Sequence, residues 1–210
     1  MSAQAIQLTR PASYYFNLIS GSQEALSEII EGLIQHPRCQ RLWMKAHDCF
    51  ASQGVDKQHN IISRAFLSLP YDREIAGMFV NSCHMMAIAA QEAGNDPSEF
   101  FEDAERGYYH LITIEGAEPR LFEELKNIYA AWGESELEQQ CTIALSIVSK
   151  SQSEYQALPA DELEKVTNAM RTLSDRKNSF GITTTLARIS SRCSAMPALD
   201  MLITPACDGN

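Results

Sequence analysis

Histidine is the first residue type in this sequence that could bind a metal or transfer a proton at neutral pH. Such sites usually combine ligands at short fixed spacings, as in His-x3-His, His-Glu-x2-His or Cys-x2-Cys, and the sequence contains none of these. Cys83 and His84 are adjacent, but consecutive side chains on a helix point about 100° apart and do not form a nucleophile and base pair. We therefore expect no metal site and no cofactor at the five histidines, which are His36, His47, His59, His84 and His110.

The acidic residues are numerous, but they occur in polar runs that are typical of solvated helix faces. Glu102-Asp103 and Glu123-Glu124 are two examples. The sequence has no glycine-rich dinucleotide loop, no phosphate-binding loop and no Gly-x-Ser-x-Gly elbow. The sequence thus predicts no catalytic residue. An all-helical enzyme or small-ligand carrier without a recognisable motif stays as an alternative function.

The cysteines are scattered and show no pairing that suggests a disulfide framework or a zinc finger. Cys49, Cys83 and Cys141 fall in apolar helical stretches, where a free cysteine behaves as a small hydrophobic residue. The N-terminus lacks the basic start and apolar stretch of a signal peptide, and no apolar run approaches the roughly 18 residues of a membrane span. We expect a cytoplasmic protein with no membrane partner and free thiols at Cys39, Cys49, Cys83, Cys141, Cys193 and Cys207.

Charge is distributed unevenly along the 210 residues, whose formal net charge is −10. Generic binding to nucleic acid or to anionic membranes needs a basic surface, so neither is expected. Residues 96–138 contain twelve acidic and three basic side chains, whereas residues 165–192 contain six basic and one acidic. Either both segments form solvated faces, or the basic segment docks on the acidic one, or the acidic region receives a basic partner.

Apolar residues recur at helical spacing through most of residues 12–150, so the sequence predicts a series of helices joined by short turns. Asp96-Pro97-Ser98-Glu99 has the pattern of a helix start, and Ser135 with Glu138 has the form of a capping box. The β-branched run at 111–114 is interpreted as a helix end, and the run at 199–204 as an extended tail. The expected fold class is all-α.

Four segments share one pattern of small or apolar residues at i, i+4 and i+7, followed by a helix-ending position five residues later. This pattern describes one stripe of a helix. The four segments are Ala25-x3-Ile29-x2-Gly32-x4-Pro37, Gln58-x3-Ile62-x2-Ala65-x4-Pro70, Ala104-x3-Tyr108-x2-Leu111-x4-Gly116 and Leu137-x3-Cys141-x2-Ala144-x4-Ser149.

A second helix pattern precedes three of these stripes, with apolar residues at i, i+3 and i+7 and a closing glycine. Glycine can adopt the positive φ needed where the first helix turns into the second. Aromatic residues occupy matching positions in two of the three segments, which indicates packing between helices rather than an aromatic ligand-binding site. The three segments are Trp43-x2-Ala46-x3-Phe50-x3-Gly54, Cys83-x2-Met86-x3-Ala90-x3-Gly94 and Phe122-x2-Leu125-x3-Tyr129-x3-Gly133.

A helix, a glycine turn, a second helix with small residues and a stop, within roughly 34 residues, resembles the tetratricopeptide repeat. The resemblance implies an α-solenoid of antiparallel helix pairs over residues 1–150. Two amphipathic stripes then predict C-terminal capping helices over 151–196, which would shield the exposed end of the array. A flexible tail is expected over 197–210. An irregular helical bundle is the alternative arrangement.

The resemblance also implies a function, namely a non-catalytic adaptor or chaperone that binds a peptide or helix of another protein in a concave groove. A basic partner would suit the acidic chain, and association with a second copy is compatible with the sequence. A helix-turn-helix regulator using residues 163–193 is a third hypothesis. Carried over by position, the groove residues are Arg41, Met44, Asp48, Asn81, His84, Ile88, Arg120, Glu123 and Asn127.

Overall fold

A computed structural model describes residues 10–18 and 23–203, and this part of the chain contains helices and no strand, which confirms the all-α class. Two 3-10 helices, Ala51–Gln53 and Leu199–Ile203, accompany the α-helices. Among the described helices, none combines the length and the apolar character needed to cross a bilayer. The α-helices are α1 (Ala12–Phe16), α2 (Gln23–Gln35), α3 (Gln40–Phe50), α4 (Val55–Ser68), α5 (Arg73–Glu92), α6 (Ser98–Glu115), α7 (Pro119–Trp132), α8 (Ser135–Val148), α9 (Gln152–Gln156), α10 (Ala160–Ser179) and α11 (Ile182–Ala195).

The helices from α2 to α8 pack in chain order, each against the next. The C-terminal part then returns along the even-numbered helices: α10 packs on α8, α11 packs on α4 and α6, and the 3-10 helix Leu199–Ile203 contacts α2. The sequence predicts C-terminal helices that cap the end of the array, and the placement of α11 differs from this. It lies across the middle of the helix order, where its Arg188 and Arg192 pair with Asp103 of α6.

The stripes identified in the sequence form the core. Ala65 and Ala144, the small residues of two stripes, are fully buried. The aromatic residues of the preceding helices are also buried, which confirms that they pack between helices. Their exposed fractions are 3% for Trp43, 0% for Phe50, 4% for Phe122 and 0% for Tyr129.

Glycines mark several turns between consecutive helices. Gly54, Gly94 and Gly133 have φ values of 113°, 73° and 87°, so each adopts the left-handed backbone that side chains disfavour. Gly133 ends α7 with its N–H bonded to the Tyr129 carbonyl at 2.9 Å. Gly116 ends α6 in the same way, with φ 91°. The turn positions predicted from the sequence are therefore confirmed.

Two local expectations are wrong. The capping box expected at Ser135 does not form, because Glu134 occupies the N-cap of α8 without a side-chain cap bond. A capping box forms instead at the start of α9, between Ser151 and Glu154, where no capping box was predicted from the sequence. The segment interpreted as an extended tail is a 3-10 helix over Leu199–Ile203, and the Leu202 side chain is buried.

The described cysteines form no disulfide, as expected, and they are Cys39, Cys49, Cys83, Cys141 and Cys193. Burial raises the pKa of the Cys83 thiol well above its ordinary value, and it raises the pKa of Cys141 to about 12. Cys83 and Cys141 therefore behave as packing residues of α5 and α8. Cys207 and the last residues of the expected tail, 204–210, lie outside the described residues, as do residues 1–9 and 19–22.

Candidate functional site

The basic C-terminal segment docks on acidic residues of α6, as one of the interpretations of the charge pattern proposed. Arg176 of α10 forms two hydrogen bonds to the Glu105 carboxylate, Nε to Oε1 at 2.7 Å and Nη2 to Oε2 at 2.9 Å. Glu105 is fully buried, and the Tyr129 hydroxyl donates to its Oε1 at 2.5 Å. The bidentate pair links α10 to α6, and the Tyr129 hydroxyl links the same carboxylate to α7.

Two further arginines, both from α11, meet at Asp103. Arg188 Nε lies 2.6 Å from Oδ1, and Arg192 Nη1 lies 2.5 Å from Oδ2. Burial raises the pKa of Asp103, and the two guanidinium groups oppose that rise in part. Glu102-Asp103 was expected on a solvated face, but only 2% of Asp103 is exposed. Its two arginine partners explain how a carboxylate can occupy this buried position.

A groove on another side of α6 contains several of the predicted site residues. We call it the α5–α7 groove, because α5 and α7 form its walls and α6 forms its floor. Its volume is about 530 Å³, and the floor carries Tyr108 and Leu111. Four predicted residues line it: Asn81 and His84 from α5, and Arg120 and Asn127 from α7.

One end of the α5–α7 groove is strongly charged. Glu115 lies between Arg73 and Arg120, at 3.8 Å from Arg73 Nε and 3.1 Å from Arg120 Nη2. Arg120 also contacts Glu124 at 3.2 Å. The Glu115 side chain is only 9% exposed, whereas those of Arg73 and Arg120 are 74% and 58% exposed. The arginines are therefore the members of this ion-pair cluster that a partner would meet first.

The other end of the groove carries uncharged polar groups. Asn81 and Asn127 are exposed, and neither side chain has a hydrogen-bond partner among the described residues. The His84 ring is half-buried at 6.3 Å from the Phe101 ring, and burial lowers its pKa. At neutral pH this imidazole is uncharged. The groove thus offers two free amides and a neutral imidazole beside its charged end.

A smaller pocket of about 210 Å³ extends the groove toward the turn between α3 and α4. Met78 and Asn81 line both cavities, so the two are neighbours along α5. Val55 and Met85 add partly exposed apolar surface to the smaller pocket. The combined surface is charged near Arg73, polar near Asn81 and apolar at Met78 and Met85.

The remaining five predicted site residues do not line the α5–α7 groove. Three of them are engaged with neighbouring side chains of their own chain, and two are half-buried. The Arg41 guanidinium stacks 4.4 Å from the Phe16 ring, Asp48 lies 3.6 Å from the His47 ring, Glu123 contacts Lys126 at 2.5 Å, and Met44 and Ile88 are half-buried.

Sequence reasoning missed several residues of the groove. Gly77 and Met78 precede Asn81 by four and three positions, so helical periodicity could have added them to the same face. Arg73 continues that face by one further turn. Glu115 belongs to α6, whereas the resemblance directed attention to residues of α3, α5 and α7. No local signal identifies it as the carboxylate between the two arginines.

The described residues contain one close pair of a histidine and a serine of the kind that nucleophilic catalysis uses. His59 Nδ1 lies 2.8 Å from Ser82 Oγ, and burial lowers the pKa of His59 to about 4. Its other ring nitrogen faces Ser63 Oγ at 3.4 Å rather than a carboxylate. A histidine this weakly basic, with no carboxylate to orient it, is a poor general base. Within the described part of the chain, no group of three or more His, Cys, Asp or Glu side chains could hold a metal ion.

Comparisons of the chain with models of known families, with curated proteins and with solved structures gave no significant match. The fold and site define an all-helical protein with a polar groove. The helix beneath the groove, α6, has acidic side chains that pair with arginines of the C-terminal helices.

Proposed function

We propose that this protein is a non-catalytic interaction module that binds a peptide segment of another protein in the α5–α7 groove, as an adaptor or chaperone does. The observation that carries the proposal is that Asn81, His84, Arg120 and Asn127 line one groove. The repeat pattern of the sequence alone predicts these four positions.

The chemistry of the groove suits a peptide backbone. An asparagine amide offers both a donor and an acceptor, and so does each peptide unit. Asn81 and Asn127 stand on opposite walls, so one peptide could contact both. The hydrogen bonds they would form replace bonds to water, and their role is to fix the position and direction of the bound segment. The apolar surface near Met78 and Met85 can receive a side chain of the same segment.

The arrangement of helices is part of the proposal. We assign α3 with α4, α5 with α6, and α7 with α8 as three tetratricopeptide-like pairs, since each pair of helices packs together and a positive-φ glycine lies at each turn. The C-terminal helices α10 and α11 pack on α8, α6 and α4, the second helices of these pairs. This placement leaves the α5 and α7 walls open to a partner. Free thiols at the described cysteines support a cytoplasmic setting.

The alternative of a helix-turn-helix regulator is disfavoured by the same ion pairs. Arg176, Arg188 and Arg192 provide half of the basic side chains in residues 165–192, and all three are paired with carboxylates of α6. Contact with DNA phosphates would require them to leave buried acidic partners, at a cost of several kcal/mol each. The interaction module requires no such rearrangement.

Selection from a phage-displayed library of random peptides tests the proposal directly. We expect selected peptides to bind the parent protein and to bind the Asn81→Ala/Asn127→Ala variant at least tenfold more weakly, which corresponds to about 1.4 kcal/mol. The matched control is Asn95→Ala/Asn178→Ala, since both residues are exposed and lie outside the groove. Equal loss in both variants, or equal affinity for parent and groove variant, would place the binding surface elsewhere.

A further inference from the structure

A third cavity, of about 410 Å³, lies between α4, α5, α6, α11 and the C-terminal 3-10 helix. We call it the C-terminal cavity. It is separate from the α5–α7 groove and shares no lining residue with it. Its walls are largely apolar, with side chains from Met86, Phe100, Met196, Met201 and Leu202. Methionine is flexible and polarisable, so such walls adapt to apolar ligands of different shapes.

Fixed hydrogen bonds hold the wall formed by the end of α11. Asn60 is 2% exposed, and its Nδ2 donates to the Pro197 carbonyl at 2.9 Å. Arg64 donates to the carbonyls of Cys193 at 3.0 Å and Pro197 at 3.1 Å, and its Nε bonds to Asn60 Oδ1 at 2.7 Å. The cavity is therefore formed in advance of any ligand, which lowers the entropic cost of binding.

Lys57 gives the cavity a positive charge. Its ammonium donates to the Leu202 carbonyl at 3.2 Å and to Gln53 Oε1 at 3.1 Å. Both acceptors are neutral, and no described carboxylate lies within salt-bridge distance of Lys57, including Asp56 in the same lining. The other cation of the lining, Arg192, is paired with Asp103 and Glu99. Lys57 is thus the cation available to an anionic head group, in a lining that also includes the Asp56 carboxylate.

We propose that the C-terminal cavity binds a small amphipathic anion, a free alkyl carboxylate whose chain contacts the methionines and Phe100 and whose head group pairs with Lys57. Cavities of several hundred Å³ with apolar walls and a few polar groups are the usual form of small-ligand sites. Because the 3-10 helix supplies both Leu202 and Met201, the ligand would also hold this segment against α4.

Calorimetric titration of the full-length protein with decanoate, below its micelle concentration, tests this proposal. We expect one decanoate per chain, and at least tenfold weaker binding of the uncharged analogue decanol and of decylamine. Lys57→Gln keeps a donor for the Leu202 carbonyl but removes the charge, so decanoate affinity should fall at least tenfold and decanol affinity should not change. Lys165→Gln, an exposed lysine of α10, is the matched control.

Met201→Ser tests the apolar wall with little risk to folding, since 62% of the Met201 side chain is exposed. It should weaken both decanoate and decanol severalfold. Absence of decanoate binding, equal affinity for decanoate and decanol, or unchanged binding in Lys57→Gln would each overturn the proposal. If Lys57→Gln does not fold, unchanged decanoate binding in Met201→Ser would overturn it instead. None of these results bears on peptide binding in the α5–α7 groove, whose residues are not altered.

Discussion

Removing the two arginines that hold Asp103 should strongly destabilise this protein. The variant is Arg188→Met/Arg192→Met, because methionine keeps much of the alkyl length of arginine and loses only the charged fork. Asp103 is 2% exposed and receives a guanidinium on each oxygen, at 2.6 and 2.5 Å. The double variant leaves a buried carboxylate without either partner.

The size of the effect follows from the burial of Asp103. A buried ion that loses its partners costs about 3 to 5 kcal/mol. Loss of one charged hydrogen bond while the other partner stays costs about 1.5 to 3 kcal/mol, so each single variant should be less affected than the double. Since domains are stable by only about 5 to 15 kcal/mol, the double variant should lose a large part of its free energy of unfolding.

The deficit should also depend on pH in a defined direction. The pKa of Asp103 is raised by burial and lowered in part by the two arginines, so their removal raises it further. When the folded-state pKa exceeds the unfolded-state pKa, protonation of Asp103 stabilises the folded state. This stabilisation is present at low pH and is lost as the pH rises through the folded-state pKa. The deficit relative to the parent should therefore shrink from about pH 7 to about pH 5.

Urea denaturation followed by circular dichroism measures these differences. Arg171→Met is the matched control, because Arg171 is exposed and, among the described residues, its side chain hydrogen-bonds to Asn168 alone, at 2.8 Å. Its effect should stay within about 0.5 kcal/mol. A double variant that unfolds within about 1 kcal/mol of the parent near neutral pH, or whose deficit grows as pH falls, would refute the ion-pair account of α11 docking.

Two other predictions concern helix packing and the thiols. Gly107→Ala should lower the free energy of unfolding by about 1 to 3 kcal/mol, because its Cβ would lie 2.4 Å from Val80 Cγ2. Gly77→Ala should raise the free energy of unfolding by about 0.5 to 1 kcal/mol, because its Cβ meets no atom within 4 Å. Equal urea midpoints for the two variants would contradict the α5–α6 contact. All six thiols should alkylate in the denatured protein before reduction, as mass spectrometry can show, and in the native protein half-buried Cys39 and Cys49 should react faster than Cys83. A stoichiometric disulfide, or fast labelling of native Cys83, would contradict this.

The features that local spacing determines could be predicted from the sequence. The stripes that contain Ala65 and Ala144 are buried, and the glycines at the helix turns have positive φ. In each case, the periodicity of one helix and the conformational freedom of one residue are enough to predict the outcome. The opposite net charges of residues 96–138 and 165–192 also indicated that the two segments could dock on each other. Net charge can be read from the sequence without knowledge of the geometry.

The pairing of individual groups could not be predicted. Nothing local indicates that Arg176 meets Glu105 while Arg188 meets Asp103, since 71 and 85 residues separate the partners in the chain. The side of α6 that becomes buried depends on where α11 lies, and so the pair Glu102-Asp103 was expected on a solvated face. Arg41 was assigned to the groove because sequence spacing does not reveal its contact with Phe16.

Helix α6 contacts both the docked C-terminal segment and the α5–α7 groove. Asp103 and Glu105 face the arginines of α11 and α10, whereas Tyr108, Leu111 and Glu115, at spacings of three and four residues, form the groove floor. Asp103 and Glu105 lie about 200° apart around α6, and the floor residues lie between them. Because a helix is rigid over this length, the two sets of ion pairs fix the orientation of the floor. A shortened protein without α10 and α11 would expose two uncompensated carboxylates and release α6 from that orientation. Peptide binding must therefore be measured on the full chain, since the groove and the C-terminal helices depend on the same helix.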